Sequence, residues 1–129
     1  MRLIELVALP TGLRLRVEVP ETRRERMRGL LGRRALEPGR GLLLERTRSV
    51  HTFGMRFALR VAFLDGELRV VEVRDLPPGR IVLPRPRARH VLECTDDLLR
   101  TGDRLTPLPG GDLDGPRERE GAPPPPSER

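Results

Sequence analysis

The fold of this chain is decided by the stretch Ser49-Val50-His51-Thr52-Phe53-Gly54-Met55-Arg56-Phe57-Ala58-Leu59-Arg60-Val61-Ala62-Phe63-Leu64-Asp65-Gly66. It contains all three phenylalanines and one of the two histidines of a chain that is poor in aromatic residues. From His51 to Phe63 every odd-numbered residue is histidine or apolar, which is the period expected of a β-strand with one buried face. We therefore expect a continuous strand with His51 on the core side, unless Gly54 inserts a bulge that breaks the parity.

A β-hairpin is predicted at the end of this strand. Asp65-Gly66 lies between two apolar runs and is typical of a two-residue turn, whose central positions both need positive φ. Such a turn places Phe63 opposite Leu68 and Val61 opposite Val70. Residues 68–73 then form the partner strand.

The remaining segments also read mainly as short strands. Residues 3–9 and 13–19 form a predicted pair around a Pro-Thr-Gly turn, and further strands are predicted at 42–44, at 88–93 and around Leu105. The prolines of residues 83–87 exclude that segment from a central strand, because proline lacks the donor that the sheet needs.

Two short helical segments are predicted. Thr22 and Glu25 form a capping box that begins a helix at Arg23, which we expect to run to residue 31 and to end at Gly32. Its expected apolar side consists of Met27, Leu30 and Leu31. A second short turn of helix begins after Thr95 and runs through Leu99.

These elements predict a mainly β fold. We expect a single compact sandwich- or barrel-like domain of about seven short strands with one or two short helices, spanning residues 1–109. Residues 110–129 are rich in glycine, proline and charge, so we expect them to form a disordered tail.

Composition limits the cellular setting and the class of protein. The single cysteine, Cys94, excludes an internal disulfide and suits a reducing compartment. No apolar run is long enough to span a membrane, and charge comes too early at the N-terminus for a signal peptide, so we expect a cytoplasmic protein with no membrane partner. All 25 basic residues are arginine, and residues 1–111 carry a net charge of +8. A basic domain attracts polyanions, but we favour an ordinary solvated arginine surface and expect no nucleic acid.

Several segments together resemble the domain of unknown function 192 family, also catalogued as uncharacterised protein family 0127. The resemblance covers residues 3–107 and implies a β-sandwich-like domain, without an established activity, cofactor or substrate. Three positions depart from the family pattern: Arg60 replaces an acid, Cys94 replaces an aliphatic residue, and the usual tryptophan before Ala88 is absent. The segments that carry the resemblance are residues 21–33, 51–56, 61–65, 88–93 and 102–105.

His51 is the first candidate functional residue, because an imidazole can act as a general base or a metal ligand near neutral pH. A hydrogen-bonded structural histidine is the interpretation that we favour. Thr52, Arg56 and Arg60 share the opposite parity, and two guanidinium groups beside a hydroxyl suit a carboxylate or phosphate ligand. An ordinary exposed strand face is the interpretation that we favour for these residues.

Other candidates have stronger structural explanations. Asp65 is explained by its place at the start of a hairpin loop, and Cys94 by its small apolar character. His51, His90 and Cys94 are the soft metal ligands, but on a strand His90 and Cys94 lie about 13 Å apart. We therefore assign no metal, cofactor or catalytic residue.

The leading hypothesis is a non-enzymatic domain that binds a small anionic molecule or a protein partner. One alternative is a hydrolase-like enzyme with His51 as general base, which needs Asp65 or Glu93 to orient the imidazole. A second alternative is polyanion binding through an arginine stripe at residues 85, 87 and 89. The candidate ligand-binding residues of the leading hypothesis are His51, Thr52, Met55, Arg56, Arg89 and Glu93.

Overall fold

A computed structural model describes residues 1–95 and 99–108. The described residues form nine strands and one short helix, which confirms the mainly β fold class. The elements are β1 (Arg2–Leu9), β2 (Leu13–Val19), α1 (Arg23–Arg28), β3 (Arg40–Leu44), β4 (Val50–His51), β5 (Leu59–Leu64), β6 (Val70–Leu76), β7 (Ile81–Val82), β8 (His90–Cys94) and β9 (Arg104–Pro107).

Seven of these strands form one curled sheet in the order β6-β5-β8-β3-β2-β1-β9, and β4 pairs with β7 in a separate ribbon. All neighbours in the large sheet are antiparallel except β2 and β3, which are parallel. The two outer strands approach each other, because an isolated bridge joins Arg69 to Arg104 and the amide of Val70 donates to the carbonyl of Asp103 at 2.8 Å. The sheet is therefore a half-barrel whose edges meet at one end.

The predicted pair of N-terminal strands is confirmed as β1 and β2. Alternate residues of β2 are buried, namely Leu15, Val17 and Val19, whereas Arg14 and Arg16 between them are exposed. The period of two arises because successive side chains of a strand point to opposite faces of the sheet.

The capping box of α1 is also confirmed. The Thr22 hydroxyl accepts from the amide of Glu25 at 3.1 Å, and the Glu25 carboxylate accepts from the amide of Thr22 at 3.2 Å. The predicted end and apolar side of the helix were wrong. Gly29 caps the helix with φ of +48°, three residues earlier than expected, and Met27 is 74% exposed. Of the three residues expected on the apolar side, Leu30 alone is buried.

The hairpin exists, but its predicted register was wrong. Phe63 lies opposite Glu72, and Leu64 opposite Val70, with a bulge between the two pairs. The Asp65 carboxylate accepts the amides of residues 67 and 69 at 2.9 and 3.0 Å, and Leu68 takes a φ of +63°. These contacts hold a wider loop than a two-residue turn, so the partner strand begins later.

The prediction of one continuous strand through His51 and Phe63 was wrong, and the parity breaks at Gly54, as its stated alternative expected, through a turn and not a bulge. β4 ends at His51, a turn follows at residues 53–54 where Gly54 has φ of +79°, and β5 begins at Leu59. The odd-numbered residues from 59 to 63 are buried as expected. Before the turn the parity is reversed, because His51 is exposed and Thr52 is completely buried.

The core consists of two clusters of apolar residues. One contains Leu6, Leu15, Leu64 and Leu92, and the other contains Leu42, Val61, Phe63 and Val91. Cys94 is buried, as expected of a small apolar residue. No helix in the described part of the chain is long and apolar enough to cross a membrane.

Two predicted features lie outside the described residues. These are the turn of helix after Thr95, which falls largely on residues 96–98, and the C-terminal tail at 110–129. Leu99, where that turn was expected to end, is completely buried.

Candidate functional site

A cavity of about 160 Å³ lies where the end of α1 meets the edge of the core. The loop after the helix, the end of β3, the strand β4 and the segment after Gly54 form its walls. β8 contributes Glu93. An apolar cavity of about 150 Å³ accepts a group as large as benzene, so this cavity can hold about six non-hydrogen atoms.

Most of the cavity wall is aliphatic. These side chains come from four separate segments of the chain, so the cavity exists only in the folded protein. Met27 and Leu31 are exposed at the rim, and Leu30 and Val50 are buried more deeply. The aliphatic lining consists of Met27, Leu30, Leu31, Leu44, Val50 and Met55.

Glu93 is the single acidic residue of the cavity lining. It lies on the central strand β8, opposite Val61 on one neighbouring strand and Leu42 on the other, and only 6% of its surface is exposed. Burial raises the pKa of its carboxyl to about 7, because the charged form loses its hydration. Within residues 1–95 and 99–108 this carboxyl forms no hydrogen bond or ion pair. It is therefore a buried polar group that faces a cavity and lacks a partner.

Three basic side chains, together with Gly29 and Ser49, also line the cavity, and the basic side chains differ in how firmly neighbouring groups hold them. Arg26 donates to the carbonyl of Glu45 and, at 2.9 Å, to the hydroxyl of Thr47, so its guanidinium is directed towards the turn after β3. Arg28 is exposed, and its side chain forms no ion pair in the described part of the chain. The exposed ring of His51 stacks on Phe53, with ring centroids 5.4 Å apart.

The structure therefore brings together His51, Met55 and Glu93 among the six candidate ligand-binding residues. Thr52 is buried beside the cavity instead: its hydroxyl donates to the carbonyl of Pro77 at 2.7 Å and accepts from the amide of Arg80 at 2.8 Å. Thr52 thus ties β4 to the loop before β7.

The two remaining candidates do not line the cavity. Arg56 is exposed on the segment between Gly54 and β5. Arg89 lies beside the β5–β6 hairpin, where its side chain is 4.0 Å from the position that a Cβ at Gly66 would occupy. Thr52, Arg56 and Arg60 do not share one strand face as expected, because the turn at Gly54 separates Thr52 from the two arginines.

Arg60 has a structural role in this chain. Its guanidinium donates to both carboxylate oxygens of Asp75, at 2.8 and 3.1 Å, and to the carbonyl of Leu99 at 3.0 Å. The arginine at the position of the family's acid therefore joins β5 to β6 and to the segment before β9.

The geometry does not supply the acid–base pair that the enzyme hypothesis needs. Asp65 accepts main-chain amides of its own loop, chiefly that of Arg69, which lower the pKa of its carboxyl. His51 and Glu93 share the cavity, but no hydrogen bond joins them within the described residues. The imidazole of His90 accepts the amide of Arg46 at 3.0 Å, and burial lowers its pKa. Among residues 1–95 and 99–108, no group of three or more His, Cys, Asp or Glu residues could hold a metal ion.

Sequence reasoning missed the contribution of α1 and of the segment before β4. Arg28, Leu30 and Leu31 reach the cavity because the helix ends at Gly29 and the chain turns towards the core there. The signal available in the sequence was the pair of adjacent leucines followed by glycine at residues 30–32, which we interpreted as one continuing helix.

Residues 6–106 match the sequence model of the protein family DUF192, which is described as "Uncharacterized ACR". A UPF0127 protein of Pyrococcus horikoshii is 47% identical over 45 residues, and one of Pyrococcus abyssi is 42% identical over 45 residues. Each match covers 35% of this chain, and it spans only 39% and 38% of the two relatives, respectively.

Two crystal structures share the fold. A protein of unknown function from Novosphingobium aromaticivorans superimposes with a TM-score of 0.71 at 19% identity, covering 81% of this chain and 84% of the other. A protein provisionally named a transcription regulator, from Sinorhizobium meliloti, gives a TM-score of 0.66 at 23% identity, covering 82% of this chain and 92% of the other. At these identities the likeness concerns the fold alone.

Proposed function

This chain belongs to the DUF192 family, and on that premise we propose that it is a non-enzymatic domain that binds a small anionic molecule in the cavity above Glu93. The ligand has an apolar body of about six non-hydrogen atoms, which matches the cavity volume and its aliphatic wall. Its anionic group lies at the rim, near Arg28 and His51.

The observation that supports this proposal most strongly is the combination of an aliphatic cavity with Arg28 at its rim, which has no acidic partner among residues 1–95 and 99–108. A guanidinium in this position attracts a carboxylate or phosphate, and the net charge of +8 on residues 1–111 strengthens that attraction. Ligand pockets commonly have this character, with apolar walls and a few polar groups that fix orientation.

Binding is favoured over catalysis because the site lacks an oriented general base. The imidazole of His51 stacks on Phe53 and has no carboxylate bonded to it in the described residues. Polyanion binding is less favoured, because Arg85 of the proposed arginine stripe already pairs with Glu72, with Nη2 3.2 Å from Oε2.

The test is a thermal-denaturation panel on the full chain, followed by far-UV circular dichroism because the protein has no tryptophan or tyrosine. Hexanoate is the first probe, and phosphate, acetate and nucleotides complete the panel. A ligand at a hundred times its Kd stabilises the folded state by about 2.7 kcal/mol, which is a readily measured shift. We expect hexanoate to raise the melting temperature of the wild type and to have little effect on Arg28→Ala.

The matched control is Arg56→Ala, which removes an exposed arginine outside the cavity. We expect this variant to respond to hexanoate like the wild type. Equal responses of both arginine variants and the wild type, or no response from any of them, would contradict the proposal.

A further inference from the structure

We infer that the ligand has a second polar end, a primary ammonium that pairs with the Glu93 carboxylate, so that its chemical class is that of an aliphatic ω-amino acid. This inference rests on the proposed function. It specifies the chemical group of the ligand that lies against Glu93. It also requires that methylene groups separate the two charges of the ligand.

An alkyl chain fits this cavity less well than a chain that ends in a polar group, because the cavity wall contains a carboxyl. Glu93 is 6% exposed, lines the cavity and has no partner in the described part of the chain. The Glu93 oxygens are not sealed from solvent, so water in the cavity can hydrate them. A polar group that loses its water and gains no hydrogen bond is nevertheless unfavourable. A ligand that fills the cavity with hydrocarbon would remove the remaining water from this carboxyl and leave it unsatisfied.

A second feature is the arrangement of chemical groups in the cavity wall. Glu93, Leu30 and Val50 are all buried in the cavity wall, whereas Arg28 and His51 are exposed. The cavity thus presents a buried acid among aliphatic side chains, and basic groups on its exposed side. A ligand complementary to this arrangement carries a cation, then methylene groups, then an anion.

A third feature concerns the nearby arginines, which would otherwise repel a cation. Arg26 donates to the Glu45 carbonyl and the Thr47 hydroxyl, and this contact directs its charge towards the neighbouring turn. Arg28 is available at the rim, where it meets the anionic end of the same ligand. Glu93 supplies the opposite charge for the ammonium, and the Ser49 hydroxyl in the same lining offers a further acceptor. This acceptor matters because burying an ion pair is compensated only when the remaining N–H groups are also hydrogen-bonded.

Burial raises the pKa of the Glu93 carboxyl to about 7, so pairing with an ammonium should change its protonation in a measurable way. At pH 6 the free protein holds a proton on Glu93, whereas the bound ammonium favours the carboxylate, so binding releases a proton to the solvent. The other charged or titratable groups of the cavity lining are Arg26, Arg28 and His51.

The experiment compares four ligands of six carbons by isothermal titration calorimetry at pH 6 on the full chain. They are 6-aminohexanoate, hexanoate, hexylamine and hexanol, and shorter 4- and 5-carbon amino acids extend the series. We expect one of the amino acids to bind at least tenfold more tightly than the carboxylate of equal length. Titrations in two buffers of different ionisation enthalpy should reveal proton release for the amino acid and none for hexanoate.

Glu93→Gln is the matched variant, and it should remove both the tenfold preference and the proton release while leaving hexanoate binding within about threefold of the wild type. Equal affinity for 6-aminohexanoate and hexanoate, at every chain length, would overturn the inference while the proposed function stands. Failure of all four ligands to bind would instead contradict the proposed function itself. Circular dichroism of the variant establishes that it is folded before any of these comparisons is made.

Discussion

Replacing Glu93 by glutamine should change how the stability of the protein depends on pH. Burial raises the pKa of this carboxyl from the ordinary 4.5 to about 7 in the folded protein. The folded state therefore holds its proton more tightly than the unfolded state. The stability that this provides is fully present below pH 4.5 and is lost as the pH rises through about 7.

The size of the effect follows from the difference between the two pKa values. At about 1.4 kcal/mol for each pH unit, the free energy of unfolding falls by about 3 kcal/mol between pH 4.5 and 8 because of Glu93 alone. Glutamine has nearly the same size as the protonated acid and does not titrate. We therefore expect the two proteins to be similarly stable at pH 4.5 and the variant to be more stable at pH 8 by about 3 kcal/mol.

The assay is urea denaturation of both proteins at pH 4.5, 6, 7 and 8, followed by far-UV circular dichroism. His90 has a lowered pKa, so its contribution has the opposite sign and increases stability as the pH rises. It is common to both proteins and cancels in their difference. Parallel stability curves across this pH range would refute the reasoning, because they would show that Glu93 is ionised at the same pH in the folded and unfolded states.

Three further substitutions test the local structure around the site. Thr52→Val should destabilise the protein by about 1–3 kcal/mol in urea denaturation, because it removes the acceptor of the partly buried Arg80 amide and the donor to the Pro77 carbonyl, whereas Thr52→Ser should have a smaller effect. Gly41→Ala should destabilise the protein by about 1–3 kcal/mol, because the added Cβ would lie 3.1 Å from the main-chain carbonyl oxygen of Glu93. Gly66→Ala is the control, because its Cβ would have no contact nearer than 4.0 Å. An equal loss of stability in the control would contradict this explanation. Asp65→Ala should destabilise the β5–β6 hairpin, measured as faster amide hydrogen exchange at residues 67–70, while Asp65→Asn retains an acceptor and should exchange more slowly than the alanine variant.

The sequence predicted the mainly β fold because most strands have one buried face or a clear turn beside them. The alternation of β2 is complete, so its boundaries and its buried face could be read directly. The capping box of α1 was equally clear, since it requires only two residues at a fixed spacing.

Prediction failed where main-chain conformation overrides periodicity. The positive φ at Gly54 ends β4 after two residues, so the parity counted from Phe63 does not reach His51. The φ of +63° at Leu68 belongs to a wider hairpin loop, and periodicity contains no information about such a residue.

Glu93 was among the candidate ligand-binding residues, but its burial could not be predicted from the pattern of its own strand. Four consecutive residues of β8, from Val91 to Cys94, are buried, because one core cluster packs against Val91 and the other against Leu92 and Cys94 on the opposite face. A strand buried on both faces shows no alternation. Nothing in the local pattern therefore distinguishes Glu93 from a residue on a solvated face.

The most direct test of the proposed cavity is a nuclear magnetic resonance titration of the nitrogen-15-labelled full chain with hexanoate. The account predicts saturable changes at the amides that surround the cavity, those of residues 28–31, 49–51, 55 and 93. Changes confined to the arginine-rich segment at residues 85–89, or no saturable change at any amide, would contradict it.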